Sequence, residues 1–250
     1  MASNSFTASQ RLINLAQHLR MRNPIEVPSD PDGRSEVVLR QGPIAVTEPA
    51  IVPFTEPVER VRSKRAAVLI CLFEDENGDL RVILTKRSSN LSTNSGDVAL
   101  PGGKREEGDA GDVETALREA KEEIGLDPSI VNVVTILEPF HTKLGIIVVP
   151  VIGILFDKGA FHPTPNTAEV EAIFDAPLEM FLKDENRREE KREWMGHKYV
   201  LHFFDYEAEN GKYVIWALTA GILIRAASLV FLRPPDFLER RPQFWNRSQK

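Results

Sequence analysis

The chain has a single cysteine, Cys71, in 250 residues, so no internal disulfide can form and nothing marks an oxidising compartment. It has no surplus of positive charge. Its 31 Lys and Arg stand against 37 Asp and Glu, a formal net charge of −6, which argues against a general nucleic-acid binder because such a protein must neutralise phosphates. It also lacks an internal repeat, a single-residue tract and the continuous apolar core of a secretory signal. Residues 215–232 are apolar enough to raise the question of a membrane span, but Arg225 near the middle and the shortness of the run read as a buried core helix. The last three residues, Ser248-Gln249-Lys250, are not the peroxisomal Ser-Lys-Leu signal. What is present, 42% hydrophobic and 27% charged residues, suits one substantial α/β domain with extensions.

Residues 1–24 have arginines but no acid, and Leu12, Leu15, Ala16 and Leu19 recur at helical spacing. The segment reads either as an organelle transit segment or as an N-terminal helix that docks on the domain. Across 25–65, Pro28, Pro31, Pro43, Pro49, Pro53 and Pro57 forbid a long helix or central strand, so a linker or surface arm is expected, with short strands near 37–39 and 50–54. Residues 66–74 and 80–85 are β-rich runs around Asn77-Gly78, the strongest short hairpin signal. Cys71 lies within the first run, where it reads as a buried structural thiol. Residues 130–137 and 146–156 read as strands, 184–192 as a solvated charged loop or helix surface, and 199–206 with 212–216 as a hairpin around Asn210-Gly211.

The chemistry concentrates in 100–126, LPGGKREEGDAGDVETALREAKEEIGL. A Pro-Gly-Gly turn leads through an acidic loop into a helix ending at Gly125, a residue suited to a left-handed cap. At 100° per residue, Val113, Ala116, Leu117, Ala120 and Ile124 form a core-facing stripe. Glu119, Glu122 and Glu123 gather on a separate face, where they repel one another by roughly 0.2–0.5 kcal/mol per pair. A hard divalent cation reverses the sign of that interaction, because Mg²⁺ prefers carboxylate and phosphate oxygens. Arg118 is placed to orient a carboxylate, and Gly102 and Gly103 let backbone amides approach a ligand closely.

The run Arg118-Glu119-Ala120-Lys121-Glu122-Glu123-Ile124-Gly125-Leu126 resembles the R-E-U-x-E-E-x-G-U half of the Nudix box, where U is aliphatic. A chance match to that half is expected in roughly one chain in 10⁴ to 10⁵. The front half departs from the pattern, for Gly103 is followed by five residues, Asp109, and eight more before Arg118, one residue longer than usual and with Asp in place of Glu. Upstream, Leu84, Thr85, Arg87, Ser88, Gly96, Pro101, Gly102 and Gly103 resemble the signature of the coenzyme A diphosphatase branch of that superfamily, with Ser92 where the branch carries Arg. Downstream, Asn166-Thr167-Ala168-Glu169-Val170 is similar to its N-P-x-E-V segment, and Trp216-Ala217-Leu218-Thr219 to its W-G-L-T helix.

The resemblance implies an α/β/α sandwich with a mixed β-sheet, an N-terminal extension and a C-terminal helix. The expected division is 1–24, the helix or transit segment; 25–65, the arm; 66–233, the Nudix domain; and 234–250, a tail. It implies a metal-dependent hydrolase that cuts coenzyme A or acyl-coenzyme A into adenosine 3′,5′-bisphosphate and a 4′-phosphopantetheine. In that reading Glu119, Glu122 and Glu123 ligate Mg²⁺ or Mn²⁺, Arg118 orients them, and Glu169, with Glu171 second, is the outer ligand or base. Arg87, Gly102 and Gly103 contact substrate. Nucleic acid and membrane are not expected as partners, a homodimer is an allowed assembly, and the location is mitochondrial or cytoplasmic. Two alternatives stand beside it: a Nudix diphosphatase for ADP-ribose or another nucleoside diphosphate, and a catalytically weak nucleotide sensor.

Overall fold

A computed structural model describes residues 9–22 and 64–246. The expected strands near 37–39 and 50–54 lie outside the described residues. Helix α1 (Gln10–Arg22) turns Leu12, Ala16 and Leu19 into the core. Full burial of a leucine such as Leu19 contributes about 1.5–3 kcal/mol. Arg20 adds a hydrogen bond to Asn132 and Arg11 one to the carbonyl of Gly78.

Strands β1 (Arg65–Glu74) and β2 (Leu80–Arg87) form the expected antiparallel hairpin, with Glu74 opposite Leu80. Gly78 takes φ +82°, and the Asp75 carboxylate accepts the amides of Asn77 and Asp79, which fixes the turn. Then come β3 (Val98–Ala99), β4 (Gly102–Lys104), α2 (Asp112–Ile124), β5 (Asn132–Ile136), β6 (Phe140–His141), β7 (Ile147–Ile154) and β8 (Val170–Pro177). These eight strands make one mixed sheet with the path β3-β2-β1-β7-β5, while β4 pairs with β1, β6 with β7 and β8 with β2. Among the described strands only β1 and β7 pair in parallel, and the other pairings of this sheet are antiparallel.

Both faces of β1 are apolar because both are covered. Ala67, Leu69, Cys71 and Phe73 pack with Ala116, Ala120 and Ile124 of α2, whereas Ile70 and Leu72 join a larger cluster on the opposite face. That second cluster includes the apolar stripe of α1 and much of α3 (Ala217–Phe231), the buried helix expected near 215–232. No helix among the described residues is long and apolar enough to cross a membrane.

A second sheet has three strands, where the sequence indicates only a two-stranded hairpin. It comprises β9 (Arg187–Trp194), β10 (His197–Ala208) and β11 (Gly211–Trp216) in the order β11-β10-β9. The hairpin at Asn210 and Gly211 is present, with Ala208 opposite Gly211. The charge run at 184–192, expected as a loop or helix surface, is instead mostly strand β9. It is an edge strand with most side chains in solvent, so charge is tolerated on both faces and deters pairing with another chain. Residues 234–246 also pack: Phe244 and Trp245 are buried, Trp245 lies edge-on to Phe140, and a Cβ on Gly221 would meet its ring at 2.3 Å.

Candidate active site

Helix α2 carries the site, and local chemistry fixes both of its ends. At the start, Glu114 accepts the amide of Ala110, and Asp112 and Glu114 place negative charge in the first turn, where the helix dipole favours it. At the other end Gly125 takes φ +71°, and a Cβ there would lie 2.9 Å from Thr164. The amides of Asn166 and Thr164 donate to the last carbonyls, of Glu123 and Ile124, each at 2.9 Å. The helix end is thereby tied to the segment that carries Glu169. The small side chains of Ala116 and Ala120, both fully buried, let the helix lie close on β1.

Glu119, Glu122 and Glu123 do not share one environment. Glu122 is 56% exposed, Glu119 14%, and Glu123 is buried at the edge of the core stripe. Burial pushes the pKa of Glu123 up to about 7, opposed by the Gly102 amide at 3.1 Å and the Arg87 charge, and reinforced by Glu119 and Glu169. Burial also raises Glu119; Arg118 opposes the shift, and Glu122 and Glu169 add to it.

Arg118 is the hub of these acids. Its guanidinium donates to both oxygens of Asp109, at 2.9 and 3.0 Å, to Glu119 at 3.1 Å, to Glu122 at 3.0 Å, and to the carbonyl of Lys104 at 3.1 Å. Asp109 also accepts from the Thr115 hydroxyl at 2.8 Å and the Glu106 amide at 2.9 Å, and the Arg118 bond leads in holding its pKa far below the usual carboxylate range. The departure in the front half of the box has a physical account here. A shorter acid on a loop one residue longer still reaches the arginine. Thr115 is a partner that the sequence did not single out.

The two glycines are crowded by the protein itself. Gly102 takes φ +154°, and a Cβ would lie 2.4 Å from the carbonyl of Ala67 on β1; at Gly103 it would lie 2.4 Å from the Glu119 carboxyl. Their missing side chains serve the approach of β1 and Glu119. Arg87 closes β2, with its Nε buried and without a hydrogen-bond partner among the described residues. It stands opposite Val170 in the β2–β8 ladder, and the next amide, of Ser88, donates to the carbonyl of Glu169 at 2.8 Å. Glu171, the second outer acid considered, is engaged in an ion pair with Lys86 at 2.6 Å. Ser92 lies exposed in the loop after β2.

The donors fit a hard divalent cation in kind: they are carboxylate oxygens, and the charges of neighbouring acids help to raise the pKa of Glu119 and of Glu123. They are not gathered as ligands. Among the described residues no three His, Cys, Asp or Glu side chains converge on a metal position; Glu119 and Glu122 accept from Arg118, and Glu123 from the Gly102 amide. Cys71 is fully buried, its pKa pushed up to about 12 by burial, which leaves it inert as a nucleophile.

The NUDIX domain family model matches residues 63–216. The chain is 61% identical over 219 residues to Nudix hydrolase 15, mitochondrial, of Arabidopsis thaliana, covering 88% of this chain and 75% of that one. To Nudix hydrolase 22, chloroplastic, of the same plant it is 58% identical over 236 residues, covering 94% and 78%. To the peroxisomal coenzyme A diphosphatase NUDT7 of Mus musculus it is 35% identical over 177 residues, covering 70% and 74%. With the box on a helix against a mixed sheet, a family match over more than half its length and relatives this similar, the chain belongs to the Nudix family and is a Nudix hydrolase, of a kind that generally needs divalent metal ions.

Proposed function

We propose that the chain hydrolyses the diphosphate of coenzyme A or acyl-coenzyme A, releasing adenosine 3′,5′-bisphosphate and an (acyl-)4′-phosphopantetheine. The observation that carries this reading is the meeting of two segments outside the box. The stretch around Arg87 and the stretch around Glu169, both similar to the coenzyme A branch, join through the Arg87–Val170 pairing and the Ser88–Glu169 bond beside the box carboxylates. The mouse relative named a coenzyme A diphosphatase supports the same substrate.

A diphosphate anion repels an incoming nucleophile, so the site must neutralise charge, hold the substrate and take a proton from water. Glu119, Glu122 and Glu123 would hold Mg²⁺ or Mn²⁺. When bound, such an ion supplies Lewis-acid polarisation of the phosphoryl oxygens and lowers the pKa of water. Arg118 stays with Asp109 and orients Glu119 and Glu122. Arg87, whose buried Nε has no hydrogen-bond partner among the described residues, binds a phosphate oxygen. Gly102 and Gly103 bring backbone alongside, and Glu169 accepts the proton of the attacking water. Of the two plant relatives one is named mitochondrial and the other chloroplastic, which supports an organelle location.

The test is turnover of coenzyme A, ADP-ribose and NADH with Mg²⁺ or Mn²⁺, with Glu123→Gln as control. Release of adenosine 3′,5′-bisphosphate from coenzyme A, lost in E123Q, is expected. Cleavage of ADP-ribose alone, or nucleotide binding with no turnover at all, overturns the reading.

A further inference from the structure

Residues 88–97 link β2 to β3, and the neck of this loop is closed by Arg87. Its amide donates to the carbonyl of Asp97 at 2.9 Å, and its carbonyl accepts from Gly96 at 3.2 Å. Two side chains from the far end of the chain grip the same neck. The indole Nε1 of Trp216 donates to Asp97 Oδ1 at 3.2 Å, and the Thr219 hydroxyl donates to the carbonyl of Val98 at 3.0 Å. They flank the point where β11 passes into α3 without a loop, a turn made by Ala217 at φ +52°, a left-handed conformation that alanine adopts only at a cost. The indole is fixed in turn: it stacks on Phe203 at 5.4 Å and 7°, and the Arg188 guanidinium covers Phe203 at 4.5 Å. None of these groups enters the chemistry above, yet they bracket the backbone that carries Arg87.

We propose that Trp216 and Thr219 are positioning residues for the substrate site, acting through Asp97 and Val98 to hold the loop neck so that Arg87 stays beside the segment that carries Glu169. This rests on Arg87 being the phosphate-contacting cation. The junction thereby sets affinity for the diphosphate without touching it. A ring at 216 that cannot donate keeps the packing and loses the grip. Asparagine at 97 keeps an oxygen acceptor for the indole, whereas alanine does not.

The test uses the full chain with Mg²⁺ and the variants W216F, D97A, D97N and R87A. KM and kcat are measured on coenzyme A and on ADP-ribose, and amide hydrogen exchange is followed in 88–97 and in α2. In W216F and D97A, exchange in 88–97 is expected to quicken with α2 unchanged, and KM to rise about 3- to 10-fold, the worth of one hydrogen bond. Their kcat should stay within about two-fold of wild type, the pattern of lost uniform binding. D97N should restore both readouts. Unchanged exchange in the loop, unchanged KM despite quicker exchange, or a loss of kcat accompanied by opening of α2 would each overturn the proposal. Failure of the substrate reading looks different: the wild type would cleave ADP-ribose but not coenzyme A, with the effect of W216F on KM intact. An R87A variant with wild-type KM would sink the role given to Arg87.

Discussion

The guanidinium of Arg118 lies in a fork against the carboxylate of Asp109, Nε to Oδ1 at 2.9 Å and Nη2 to Oδ2 at 3.0 Å, and the acid is only 4% exposed. Removing one partner of such a pair leaves the other without its counter-charge, at a cost of roughly 3–5 kcal/mol when both are buried. Arg118 is 22% exposed, so Asp109→Ala should fall at the lower end of that range in chemical denaturation. The sign in pH follows from a carboxyl held below its ordinary pKa: its stabilisation is present above that ordinary value and is lost as pH falls through the folded one. Asp109→Asn should therefore flatten the acid limb of a plot of melting temperature against pH.

Glu123 behaves in the opposite sense. Its folded pKa is raised to about 7, so its contribution to stability is complete below the ordinary carboxylate range and is lost as pH rises through about 7. Without divalent ions, the wild type should lose melting temperature between about pH 4.5 and 7 more than Glu123→Gln does. A ligating carboxylate must shed that proton, so Mn²⁺ affinity measured by calorimetry should climb with pH and level off above about 7. Turnover of Glu123→Gln should drop by about 10²- to 10⁴-fold.

Neighbouring glycines should fail differently. Gly102→Ala sets a methyl group 2.4 Å from a backbone carbonyl at φ +154°, so neither partner can yield and the protein should be destabilised by about 1–3 kcal/mol or more. At Gly103 the added methyl meets the end of a flexible glutamate at the same distance. Gly103→Ala should keep a near wild-type melting temperature and lose activity, because Glu119 must swing away. Parallel melting curves and rates separate the two outcomes.

Ala217, at φ +52°, should be improved by glycine. The left-handed region costs alanine roughly 1–2 kcal/mol and glycine little, partly offset by the greater freedom glycine has when unfolded. A rise in melting temperature for Ala217→Gly, with catalysis retained, is the expected result. A fall would show that the junction is not strained.

Helix α2 was legible because its stripe, its acids and its terminal glycine all follow one period, and the Asn-Gly hairpins because their turn chemistry is local. β9 was not, since an exposed edge strand need not alternate and its charges look the same in a loop. Asp109 could be aligned as the loop acid, yet its bond to Arg118 depends on how a loop of altered length closes in space. The burial of Glu123 was hidden for a related reason. A helical wheel puts it beside Glu119 and Glu122, but the depth to which that side sinks is set by Ala116 and Ala120 lying against β1. Phe244 and Trp245 are buried chiefly against distant residues, Trp194, Tyr199, Phe140 and Gly221, and nothing adjacent in sequence announces it.

The burial of Cys71 has a practical corollary. It is the sole sulfhydryl, sealed beneath α2 on the central strand. An alkylating reagent can reach it only when the strand is laid bare, so the rate of its modification works as a stopwatch for opening of the whole fold. A cysteine engineered anywhere on the surface would react long before it, ready for a fluorophore or spin label without first removing the native one.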